Sequence, residues 1–295
     1  FEALVSRIHL AGIIPVANFK SDFNLMTPEM LLPVNAGFTA IQKSVFECAM
    51  AGCNTIWIVA NDDLAPIVRK VIGDWVYDPV YFERLSAFSS EQRKEVPIYY
   101  VPIHPKDRDR RDSYGWSVLY GAYSAWKIAN KISKWLTPDK YFVSFPMAAY
   151  DIYQVRDYRK LINHKDNNFF LSYDGETVKN NKPIAFTFTG DDFKKCRRSV
   201  NNQTTREYLP PSQDQQYPAQ KRPLSERWSA RHFTFQKIFE EVKEEHATKL
   251  SLDWYYDISS WAGYRNFLAS NFCIETPPEH LTRARKHVKI PYTEG

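Results

Sequence analysis

The chain has 295 residues, 44% of them apolar and 15% aromatic, and carries a formal net charge of +5. This composition supplies a full hydrophobic core and excludes a disordered or fibrous chain. So modest a charge on so long a chain gives a weak preference for anionic partners and falls short of a nucleic-acid signature.

No apolar run approaches the roughly 18 residues of a membrane span. The N-terminal residues lack the charged-then-apolar pattern of a signal peptide. A soluble protein with no membrane partner is expected. The four cysteines, Cys48, Cys53, Cys196 and Cys273, include no Cys-x-x-Cys pair. They read as core thiols of a reducing, cytoplasmic compartment rather than as a disulfide framework or a zinc site. Association with a virion is left open.

In chain order, Ile13 to Ala17 is a short apolar run suited to a central strand. Residues 38–51 place Ile41, Val45, Phe46 and Ala49 at helical spacing, with Gly52 as the C-cap. Thr55 to Ala60 predicts a second strand, and Asn61 to Asp63 cap a helix over 64–71. Val96 to Pro102 is a third strand, followed by a polar loop over 105–112 whose arginines and aspartates neutralise one another. Residues 117–134 are helical in period, and Lys140 to Phe145 is a strong fourth strand. Strand and helix alternate as in a doubly wound α/β half with a largely parallel sheet.

Beyond Asp151 the texture changes. A short helix is expected over 157–164, and the aromatic, β-branched runs 169–173 and 184–189 predict antiparallel strands. Residues 194–230 are polar, basic and proline-bearing, and read as an insertion or arm. A helix over 235–245 and a strand or turn over 252–258 follow, with a C-terminal tail at about 276–295. The whole chain, 1–295, reads as a single domain.

Three segments together resemble the sugar-1-phosphate nucleotidyltransferases, the GT-A-type family that includes UTP–glucose-1-phosphate uridylyltransferase. Ile13 to Ala17 and Pro28 to Val34 are similar to that family's first strand and its Pro-Lys-x-Leu-Leu-Pro-Val element. Tyr114 to Ala122 resembles the glycine-led helix start, with Gly115 nearest the nucleobase. Trp254 to Tyr264 looks like the Trp-x-Asp-Ile-Gly-Thr stretch, whose aspartate, here Asp257, ligates magnesium. The resemblance implies a Rossmann-like, mixed and mainly parallel sheet with helices on both faces and an antiparallel extension.

It also implies a site whose chemistry has been lost. Where the family's phosphate loop reads Gly-x-Gly-Thr-Arg, this chain has Asn18, Phe19, Lys20, Ser21 and Asp22, and the following lysine is replaced by Glu29. Nucleotidyl transfer depends on positioning and on neutralising phosphate charge. Two carboxylates in place of two cations oppose a triphosphate by several kcal/mol on the order of the Coulomb estimate. The strand-end metal aspartate is replaced by the run into Pro146 and Met147, leaving Asp151 a few residues on. The expectation is a degenerate, non-catalytic member acting in binding, assembly or structure, with no cofactor. Asn18, Lys20, Ser21 and Gly115 are its nucleotide-binding candidates.

The alternative is an active divergent enzyme that makes a nucleotide sugar and pyrophosphate with Mg2+ on Asp151 and Asp257, Lys20 replacing a lost cation. Asp22 and Glu29 read first as solvated loop carboxylates, and Asp257 first as a turn-forming residue. A protein partner or a second copy is the expected contact of the basic arm and of Arg283, Arg285, Lys286 and Lys289, with nucleic acid as the other candidate.

Overall fold

The computed structural model describes residues 8–80, 94–108, 111, 113–204 and 233–277. Eight strands form its main sheet: β1 (Leu10–Pro15), β2 (Thr55–Val59), β3 (Trp75–Tyr77), β4 (Glu95–Val101), β5 (Lys140–Val143), β6 (Phe169–Ser172), β7 (Phe186–Thr189) and β8 (Thr248–Ser251). Their spatial order is β8-β6-β7-β5-β1-β2-β4-β3. β5, β1, β2 and β4 are mutually parallel, and β8 is parallel to β6. β7 runs antiparallel between β5 and β6, and β3 closes the other edge antiparallel to β4. The centre of the sheet is apolar because it is covered on both faces.

The covering helices follow from local signals. α1 (Ala40–Ala51) starts at a reciprocal capping box between Thr39 and Gln42 and stops at Gly52, whose φ of 91° suits glycine. α3 (Tyr114–Ile132) starts at Ser113, whose side chain accepts from the Trp116 N–H. The pleat puts these helices on opposite faces: Gly12 of β1 faces Cys48 of α1, while its neighbour Ile13 faces Gly121 of α3. At Gly121 a Cβ would stand 2.7 Å from a Val59 methyl, so helix and sheet approach as closely as a glycine allows. The shorter α2 (Ala65–Ile72) buries Val68 and Ile72, and α5 (Trp261–Leu268) buries Tyr264 and Phe267. Among the described residues no helix is long and apolar enough to cross a membrane.

Several expectations are corrected. α3 begins at Tyr114 rather than Ser117, which puts Gly115 inside the helix. No side chain from Asn61 to Asp63 caps α2; the Asn61 carbonyl accepts from Leu64 and Ala65 instead. Residues 194–204 are not part of an arm. They continue α4 (Gly190–Thr204), which buries Phe193, Cys196 and Val200 at helical spacing, so the apolar stripe was hidden by its charged neighbours. The rest of the expected arm, 205–230, and all but the first residues of the C-terminal tail lie outside the described residues. The helix expected over 235–245 is a single turn, Phe235–Ile238, and of the strand or turn expected over 252–258 only Tyr256–Asp257 is strand, paired with Ala148–Ala149.

Candidate functional site

The strand order reverses at β1, with β2 on one side and β5 on the other. In open α/β sheets the crevice beyond the carboxyl ends at this reversal is where ligands bind. Here a cavity of about 370 Å³ opens at that place.

Its first wall is the loop after β1. The Val16 and Ala17 N–H groups both donate to the Val59 carbonyl, at 2.9 and 2.7 Å, turning the chain off the sheet. Asn18 then takes φ 62°, the left-handed region that asparagine tolerates better than other side chains. The position that resembles the family's first loop glycine thus keeps a glycine-like backbone. Ser117 of α3 fastens the turn by donating to the Ala17 carbonyl at 2.7 Å. Phe19 packs edge-on against Tyr114 at 5.3 Å, and the Tyr114 hydroxyl donates to the Pro15 carbonyl at 3.2 Å. Burial, and then the Asp257 carboxylate, push the Tyr114 phenol well above its ordinary range. Lys20 is exposed on the cavity wall.

The second wall continues β5. Phe145 and Met147 face the cavity where the family resemblance calls for a metal aspartate. A buried ionic cluster beneath fixes this turn. The Lys43 ammonium donates to the carbonyls of Phe145 and Ala148 at 3.0 and 2.7 Å and pairs with Glu47 at 3.7 Å. Glu47 accepts from the Tyr150 hydroxyl at 2.5 Å and from the Ser144 hydroxyl. Lys43 and Glu47 are both fully buried. Ala148–Ala149 then pairs with Tyr256–Asp257, which brings exposed Asp257 to the rim.

The third wall is Asn181, Pro183, Phe233, Thr234 and Phe235, of which only Pro183 lies in a segment, Lys182-Pro183, with a faint resemblance to the family's sugar-side Lys-Pro element. Phe235 and Ile238 lie over the start of α3, so a Cβ on Gly115 would meet the Ile238 side chain at 2.6 Å and that of Phe235 at 3.3 Å. The glycine therefore accommodates the chain's own Phe235–Ile238 turn.

Of the predicted residues, Asn18, Lys20, Gly115 and Asp257 line the cavity; Ser21, Asp22, Glu29 and Asp151 do not. Asp22 accepts from the Trp261 N–H at 2.8 Å, at the start of α5. Glu29 accepts from the Ser21 hydroxyl at 2.5 Å, and Asp151 from the Tyr153 N–H at 2.9 Å. One Asp257 oxygen accepts from the Ser259 N–H at 2.9 Å, the turn-forming role expected of it. Phe19 and Met147 stand on the wall and leave the cavity open. Magnesium requires several hard oxygen donors. Among the described residues Asp257 is the one carboxylate on the cavity, and no three His, Cys, Asp or Glu side chains gather as a metal site. The described residues thus offer one carboxylate and no preformed magnesium centre.

No family model matches the sequence, and no curated protein does. Solved structures do match. A protein from Bacillus anthracis assigned as a glucose-1-phosphate thymidylyltransferase, solved in complex with a sucrose, aligns with a TM-score of 0.53 at 13% identity, over 90% of this chain and 98% of its own. A UDP-glucose pyrophosphorylase complexed with UDP-glucose aligns with a TM-score of 0.49 at 11% identity, over 88% and 97%. The first of these likenesses is one of architecture: the chain has a nucleotidyltransferase-like α/β fold.

Proposed function

We propose that this protein is a non-catalytic member of the nucleotidyltransferase fold, acting as a binding or assembly component. The observation that carries the reading is the wall after β5. Phe145 and Met147 occupy the strand end, where the chemistry needs a metal-holding carboxylate. The surrounding charges support it. Lys20 is the one cation on the cavity wall among the described residues, and Asp22 and Glu29 are engaged in loop and helix-end hydrogen bonds. A triphosphate with one cation against it lacks the neutralisation that holds such ligands in place.

Calorimetric titration with a panel of nucleoside triphosphates and Mg2+ tests this. Binding at millimolar strength or none is expected, which is about −4 kcal/mol or weaker. Micromolar binding that depends on Mg2+ would overturn it. One observation favours the active enzyme as a second reading: Lys20 and Asp257 face the same cavity. In that case Lys20→Ala and Asp257→Asn would each abolish product formation, whereas the non-catalytic reading expects no product from any form. The assembly role assigns partner contact to the basic residues of 205–230 and to the C-terminal tail. Deleting residues 205–225 is expected to remove self-association or partner capture, and unchanged interactions would remove that assignment.

A further inference from the structure

Two of the four cysteines meet beneath the central strand, outside the cavity. α1 ends in a Schellman closure: the Cys53 N–H donates to the Cys48 carbonyl and the Gly52 N–H to the Ala49 carbonyl, each at 3.1 Å. Such a closure sets the residues on either side of the turn against each other. The bond lengths flanking the Cys53-to-Cys48 hydrogen bond hold the two Cα atoms within about 7 Å, the outer limit for a disulfide.

The side chains converge as well. From the point where a Cβ on Gly12 would stand, Cys48 Sγ lies 3.0 Å away and Cys53 Sγ 3.1 Å. Both are free thiols and fully buried. Glycine at position 12 is what leaves room for both sulfurs, since any larger residue would press on the pair.

We propose that Cys48 and Cys53 form a dithiol modification site, which a low-molecular-weight disulfide oxidises to an intrachain Cys48–Cys53 disulfide. One cysteine thiolate attacks the small disulfide, forming a mixed disulfide and releasing one small thiolate. The second cysteine thiolate then displaces the other small thiolate. Two protein S–H bonds are replaced by one S–S bond, and the two small thiols carry away both protons and both electrons. The bridge fastens the last turn of α1, the helix whose Lys43 and Glu47 hold the cavity wall. Burial, and next the Cys53 thiol beside it, hold the Cys48 thiol well above its ordinary range. Exchange therefore waits on local opening of the helix end and speeds up as pH rises.

The test incubates the folded full chain with oxidised glutathione at about pH 8, where thiolate attack proceeds. After an acid quench the chain is alkylated and digested with trypsin. The peptide 44–69 carries both cysteines. It is expected two hydrogens lighter and unalkylated, and it recovers two thiols on treatment with dithiothreitol. Exposed Cys273 is expected to carry glutathione instead. Cys48→Ser and Cys53→Ser should each abolish the hydrogen loss and leave glutathione on the remaining cysteine. Recovery of Cys48 and Cys53 as alkylated thiols from the folded chain, with bridging only in urea, would overturn the proposal. Separate glutathione adducts on both would do the same.

Discussion

The layer beneath the cavity and the wall of the cavity use polar groups in opposite ways. Beneath it, Lys43, Glu47, Ser144 and Tyr150 are buried and bonded to one another or to backbone carbonyls. On the wall, rings from Phe19, Tyr114, Phe145, Phe233 and Phe235 dominate, and the nearby loop carboxylates are turned to other tasks. Here the ionic groups hold loops in shape, and the cavity wall is left to rings and a few polar tips. Charge near a cavity is thus no sign that the charge faces into it.

The strongest way to break this contrast is Lys43→Met. It strands Glu47 in the core and releases the carbonyls of Phe145 and Ala148, and should lower unfolding stability in urea by about 3–5 kcal/mol, as removing one partner of a buried pair does. The double variant Lys43→Met, Glu47→Leu should recover part of that loss. Recovery of none would show that the carbonyl contacts, rather than the ion pair, carry the cluster.

Next is Gly121→Ala, where the new methyl meets Val59 and Ile13 side-chain atoms at 2.7 and 2.9 Å. α3 must move off the sheet, at a cost of about 1–3 kcal/mol in the same measurement. Asp22→Ala tests the other side of the comparison. It removes an acceptor from the Trp261 N–H at the start of α5 and should cost about 1 kcal/mol, with no change in triphosphate binding. A gain in triphosphate binding would mean that the carboxylate repels the ligand after all.

The remaining test is a pH slope rather than a single stability difference. The Lys140 ammonium donates to the carbonyls of Ile162, His164 and Asn167 at 2.8, 3.0 and 2.6 Å. Burial, opposed by Asp192, brings its pKa down to about 8 from 10.5. Between those values the unfolded chain binds more protons than the folded one, so this group makes stability rise with pH. The comparison of wild type with Lys140→Met should show that rise only in the wild type. Equal slopes would contradict it.

What the sequence disclosed divides along the same line. α1 was legible from its apolar spacing and from its end at Gly52, but its start was read two residues early, because the Thr39–Gln42 capping box went unread. β1, β2, β4 and β5 were legible as apolar runs. β8 was missed because Thr248–Ser251 is a short strand with alternating exposure, defined mainly by its pairing to β6. α4 was missed because its buried stripe is thin among aspartates, lysines and arginines. Of the cavity's lining, Asn18, Lys20, Gly115 and Asp257 lie in short segments that the sequence singled out by resemblance. Phe233 and Phe235 were not singled out, because only tertiary packing brings them over α3. The role of Asp22 was hidden for the same reason, since its partner lies 239 residues away.

The most direct test of the account is pyrophosphate release from the purified full chain, with each nucleoside triphosphate, a panel of sugar 1-phosphates and Mg2+. Release no faster than in the protein-free control is expected. Release with multiple turnovers that is lost in Asp257→Asn would contradict it.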